Sequence, residues 1–130
     1  MPSRADELRA RVRIFAVRAL KLIKTLSRGP ASDAIARQLA RSAPSISSNY
    51  HSTRRARSRR EFIARMAVVA DEAEETEGWL ELLKQADEAS GPELDWLINE
   101  SRELRAIFVQ SVKTARLNYQ RSRGPDAVDP

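Results

Sequence analysis

The chain has 130 residues, enough for one core and too few for two, and carries 23 Lys and Arg against 18 Asp and Glu, a net charge of +5. It has no Cys, which excludes disulfides and thiolate metal sites, and no segment approaches the ~20 apolar residues that a membrane span needs. A basic balance favours anionic partners such as nucleic acid or an acidic protein face.

Asp6 and Glu7 stand near the start and no apolar stretch follows them, so no secretory signal is expected and a cytoplasmic protein is. Strand-like alternation is absent, while apolar residues recur at helical spacing throughout. The class is all-α.

The first helix is expected over about 4–27. Ser3 and Asp6 are placed as its cap, and Leu8, Val12, Phe15, Ala19, Leu22 and Leu26 follow at spacings of 4, 3, 4, 3 and 4 on one face. Gly29-Pro30 ends it. The second helix, about 32–52, begins near Ser32 or Asp33 and carries Ile35, Leu39, Ser42, Ile46 and Asn49 in the same rhythm. Pro44 lies inside it, removing one backbone donor and crowding the carbonyl of Ala40. A kink near Ala40–Ala43, not a stop, is expected. Ser42, Ser45 and Ser48 are small enough for a neighbouring helix to come close.

The third helix, about 58–89, opens on an S-x-x-E capping box, Ser58 and Glu61. Phe62, Met66, Val69, Ala73, Thr76, Leu80 and Leu83 then hold a heptad stripe. The fourth, about 92–120, is expected to be capped by Ser90 with Glu93 in the box position. It carries Leu94, Leu97, Ile98, Leu104, Ile107, Phe108, Val112 and Ala115. Four amphipathic helices with short connections predict one domain over 1–123, an antiparallel up-down four-helix bundle. Residues 124–130 are expected to be a disordered tail.

Within Gln38–Leu83, three groups of residues form a recognisable pattern: Gln38-Leu39 with Arg41-Ser42, Ser45-Ile46 and Asn49-Tyr50; Arg57-Ser58 with Glu61-Phe62-Ile63; and Glu72-Ala73, Glu75-Thr76, Trp79-Leu80 and Leu82-Leu83. The stretch resembles the small bacterial four-helix-bundle proteins linked with ribosomal-RNA intervening sequences. The resemblance implies the same fold and assembly into rings, commonly pentamers, but no biochemical activity. Members of that family often have Glu-Ala after the Asn-Tyr pair. Here His51-Ser52-Thr53 follow it, which removes a carboxylate and makes the turn more basic.

Helix one is also apolar on the side away from its core stripe. Ala10, Val17 and Leu20 lie roughly 140–220° from Phe15, with Arg13 and Lys24 among them. This face is the candidate interface of a homo-oligomer. On helix three, Glu72 and Glu75 flank the core stripe beside Val68 and Trp79. A di-metal reading needs Glu-x-x-His motifs on two helices. The only His is His51, with Ser48 three residues before it, so no metal and no other cofactor is expected. The two glutamates are expected to pair with Arg37 or Arg41, and Asn49 to make an interhelical hydrogen bond. Trp79 and Trp96 read as packing residues. No nucleophile motif, phosphate loop or catalytic constellation is present, and no enzyme is expected.

Arg54, Arg55, Arg57, Arg59 and Arg60 put five arginines into seven residues between helices two and three. Such a cluster suits the phosphates of RNA or DNA. The competing arrangement pairs it with Glu74, Glu77 or Glu81 of a neighbouring subunit. Two functions are therefore open: an oligomer that binds nucleic acid weakly, and a protein-interaction ring or adaptor with no nucleic-acid role.

Overall fold

The computed structural model describes residues 1–124, and four helices make up its regular structure: α1, Arg4–Thr25; α2, Pro30–Thr53; α3, Arg59–Gln85; and α4, Pro92–Arg123. Each packs on its neighbours in chain order, and α4 closes back on α1 more lightly than the other pairs meet. The diagonal pairs keep their backbones apart, as expected of an antiparallel four-helix bundle, and meet through side chains at the core, where the Tyr50 ring of α2 lies 5.8 Å from the Phe108 ring of α4. Residues 125–130, most of the anticipated tail, lie outside the described residues.

The helix starts follow from local chemistry. Ser3 accepts a hydrogen bond from the Asp6 amide and donates to its carboxylate, closing a capping box on α1. Ser58 accepts from the Glu61 amide at 3.0 Å to start α3. At the other two starts the expected caps are displaced. α2 begins at Pro30 with Gly29 as its cap, two residues before Ser32, which is buried inside the first turn. α4 begins at Pro92 with Gly91, not Ser90, as its cap. In both, a proline with its φ preset and no amide to satisfy takes the first helical position. α3 ends at Gln85, four residues before the expected Ala89. Asp87 adopts a left-handed φ of 57°, and the Asp87 and Glu88 amides turn back to the Lys84 and Leu83 carbonyls. This is a Schellman stop built on Asp in place of Gly. α2 runs through Pro44 without a break.

The predicted stripes line the core. Val12, Phe15, Ala19 and Leu22 face Leu39 and Ile46, Met66 through Leu83, and Leu94 through Val112. At the end of α2 the buried positions are Tyr50 and Thr53, while Asn49 is only half-buried. One polar contact crosses the middle of the core: the Ser42 and Thr76 hydroxyls meet at 2.9 Å, joining α2 to α3 where both side chains are fully buried.

The seam between α1 and α4 is largely ionic. Arg11 pairs with Glu100 at 2.7 Å and also with Glu103. Arg18 makes a two-pronged pair with Glu93 and lies 3.4 Å from the centre of the Trp96 ring. These pairs fix an antiparallel register that puts Arg4 level with Ile107. α4 continues to Arg123, so about four of its turns have no α1 alongside.

Candidate nucleic-acid interface

The α2–α3 connection sits at the end of the bundle where α4 overhangs α1. Arg65 of α3 donates to the Ser52 carbonyl at 2.6 Å and to Glu61 at 2.5 Å, tying the last turn of α2 to the first turn of α3. That leaves a short loop on which the five arginines are displayed. Arg54 is held by Asp6 of α1 at 2.9 Å. The Ser3 hydroxyl first, and Arg54 second, keep the Asp6 carboxyl below the usual carboxylate range. The guanidinium groups of Arg55, Arg57, Arg59 and Arg60 are exposed and make no ion pair among the described residues.

Overhanging α4 adds to this end what sequence reasoning passed over. Lys113, Arg116 and Arg121 project from the same stretch of helix as Ala115 and Asn118, which pack beside Thr53, Arg57 and Arg59. The signal was present as KTARLNYQRSR, an eleven-residue run without an acid at residues 113–123. The competing arrangement loses partners. Glu77 is 9% exposed and bonded to Arg105, with Arg102 beside it, and Glu81 bonds Arg102 at 2.8 Å. Of the three glutamates available to a neighbour, Glu74 alone has no ion pair in its own chain among the described residues.

Glu72 and Glu75 lie on α3 against α2, both beside Arg41; Arg37 pairs with neither. Arg41 bonds the Glu75 carboxylate, which also accepts the Trp79 indole N–H at 3.3 Å. Arg41 stands 3.6 Å from Glu72 Oε2, too far for a hydrogen bond, and that buried oxygen has no hydrogen-bond partner among the described residues. Burial first, and the neighbouring Glu75 charge second, raise the Glu72 carboxyl above its ordinary range. Asn49 does not reach another helix: its amide donates to the Ser45 carbonyl one turn back, at 2.9 Å. Neighbouring helical residues point about 100° apart, and near the end of α2 Tyr50 takes the inward place. Among the described residues no cluster of His, Asp and Glu is arranged to hold a metal ion, and His51 is exposed in the last turn of α2.

The outer face of α1 is open. Val17 and Leu20 are 45% and 39% exposed, Ala10 is exposed beside them, and Ile14, not anticipated, is 54% exposed. Among the described residues no helix is long and apolar enough to cross a membrane.

Residues 7–110 match the family model described as 23S rRNA-intervening sequence protein. Among solved structures, the chain is similar to a protein of unknown function from the S23 ribosomal protein family of Bacteroides thetaiotaomicron. The two share 29% identity at a TM-score of 0.77, over 85% of this chain and 99% of that one. None of the curated proteins matches.

Proposed function

The chain belongs to the 23S rRNA-intervening sequence protein family, and from that premise we propose that it is a non-enzymatic, cytoplasmic homo-oligomer, a pentamer, that binds RNA or DNA weakly and with little sequence preference. The observation that carries the reading is the basic end of the bundle. Arg55, Arg57, Arg59 and Arg60 stand exposed without ion-pair partners among the described residues, Arg54 stands at their edge, and the overhanging end of α4 adds Lys113, Arg116 and Arg121 to the same end of the molecule. Each guanidinium offers two parallel donors to a phosphate. Assembly through the apolar face of α1, Ala10, Val17 and Leu20, repeats the cluster around an axis, and avidity strengthens sites that are weak singly.

The test is fluorescence anisotropy of labelled RNA and DNA against the assembled protein at several salt concentrations. Binding should fall steeply with salt as counterions are released. Changing Arg55, Arg57 and Arg59 to Glu should abolish it and leave assembly intact. No binding by the wild type at low salt would overturn the reading and favour a protein-interaction ring. Loss of assembly in the triple variant would mean instead that these arginines serve a neighbouring subunit.

A further inference from the structure

The overhang of α4 opens a groove. Where α1 begins at Arg4, its track along α4 is vacant, and an open cleft of about 740 Å³ lies between the two helices. Its floor is apolar: Leu8 of α1, Met66 and Phe62 of α3, and Ile107 and Ala115 of α4. A smaller cleft of about 380 Å³ adjoins it, sharing Thr53, Phe62, Ala115 and Asn118, and leads to the loop arginines. Along α4 the groove runs from Ala106 to Asn118, about 18 Å at the rise of an α-helix.

Two properties of the groove bear on its occupant. The charged residues that line it and the adjoining cleft, Arg4, Arg54, Arg57 and Arg59, are all cations; none of the described residues that line it is acidic. Its polar wall is uncharged and comes from α4, where the side-chain amides of Gln110 and Asn118 stand near Thr114. An occupant must therefore be anionic along one edge, flat and apolar in its body, and able to meet side-chain amides.

We propose that the groove takes unstacked bases of single-stranded nucleic acid, one or two at a time, while the arginines at its mouth hold the adjoining phosphates. This rests on the reading of the basic end as a nucleic-acid interface and narrows it to strand state. A duplex keeps its bases stacked inside and can use only the arginines. A single strand can use the arginines, lay a base against Phe62 and the aliphatic floor, and meet Gln110 or Asn118 at its edge. The Phe62 ring lines both clefts, whereas Tyr50 lines the larger one alone and is nearly buried, its hydroxyl donating to the Ala5 carbonyl. Stacking on an aromatic ring with aliphatic neighbours accepts any base, which agrees with weak sequence preference.

Duplex carries phosphates at higher density than a single strand, so a purely electrostatic patch favours duplex. A preference for single strands therefore separates base insertion from charge attraction. The experiment uses the assembled protein with labelled single-stranded and duplex RNA and DNA of equal length. The wild type should bind single strands about tenfold more tightly than duplex, the scale of one base stacked on a protein ring. Ser111→Leu with Thr114→Leu fills the groove without changing charge. Thr114 is exposed and Ser111 half-buried on α4, and circular dichroism checks folding. That variant should lose about tenfold for single strands and nothing for duplex. Gln110→Leu gives a milder second block should the double variant unfold. If the wild type favours duplex, or both variants bind single strands as the wild type does, base insertion is wrong while the arginine interface stands. If the wild type binds neither form, both readings fall together. An acidic amphipathic peptide that occupies the groove while nucleic acid does not bind would also overturn the proposal.

Discussion

Ser58 decides where α3 begins. Its hydroxyl takes the Glu61 amide, and the Glu61 carboxylate reaches back to the Arg57 amide at 3.3 Å while pairing with Arg65. Ser58→Ala should cost about 1 kcal/mol in chemical denaturation, as for other lost N-caps. A null result would place the true start inside the arginine run. Glu72 makes the opposite contribution. Its carboxyl is raised by burial, so the folded protein holds its proton to higher pH than the unfolded chain does. Stability associated with this group is fully present below the ordinary carboxylate range and lost as pH rises through the raised folded value. Glu72→Gln should therefore stabilise the protein at neutral pH, with the gain vanishing in acid. Urea titrations of both proteins across that range check it, and a gain independent of pH would point to packing instead. Asp87 shows why some positions could not be read ahead. A left-handed turn built on Asp carries no glycine signature, so α3 was expected to run on to the Gly91-Pro92 break.

At the scale of elements, periodicity was legible wherever a stripe met the core. Met66, Val69, Ala73, Thr76, Leu80 and Leu83 are all buried as their spacing requires. Helix starts were legible where a side chain caps, at Ser3 and Ser58, and misplaced where Gly-Pro does the work, at Gly29-Pro30 and Gly91-Pro92. The arginine loop could be seen as a run of letters. The groove beside it could not, because it arises from the register of α1 against α4, set by Arg11–Glu100 and Arg18–Glu93 between residues at least 75 positions apart. α1 carries its own prediction. Leu20 is 39% exposed and makes no part of the core, so Leu20→Glu should leave helix content and subunit melting nearly unchanged while weakening assembly. Equal unfolding and dissociation would show that the residue is needed inside the bundle.

The whole molecule is electrically lopsided. Cations from the α2–α3 loop and the last turns of α4 gather at one end, where Asp6, Glu7 and Glu61 are the nearby acids among the described residues, whereas acids and bases are mixed at the opposite end around Asp33, Lys84 and Asp95. Such a field accelerates encounter with polyanions from any direction that faces that end. Copies packed through α1 would have to bring these ends near one another, so association should tighten modestly with added salt even as nucleic-acid binding weakens. Light scattering of the purified protein at rising ionic strength measures this. A mass near the 14.7 kDa of one chain at micromolar concentration would sink the oligomer outright.

The lightly packed α1–α4 seam has a consequence for how the molecule breathes. α1 packs on α2 through a broad apolar face, but its seam with α4 is light and carries Arg11 and Arg18, whose pairs with Glu103 and Glu93 are open to screening. The α1–α4 seam should therefore part before the rest unfolds, α1 pivoting on α2, at a free energy below that of global opening. Native-state hydrogen exchange would see this as amides from Val12 to Leu22 trading deuterium ahead of those in the middle of α3. Raising the salt should widen that interval, because it loosens the ionic seam and leaves the apolar packing of the other helix pairs untouched.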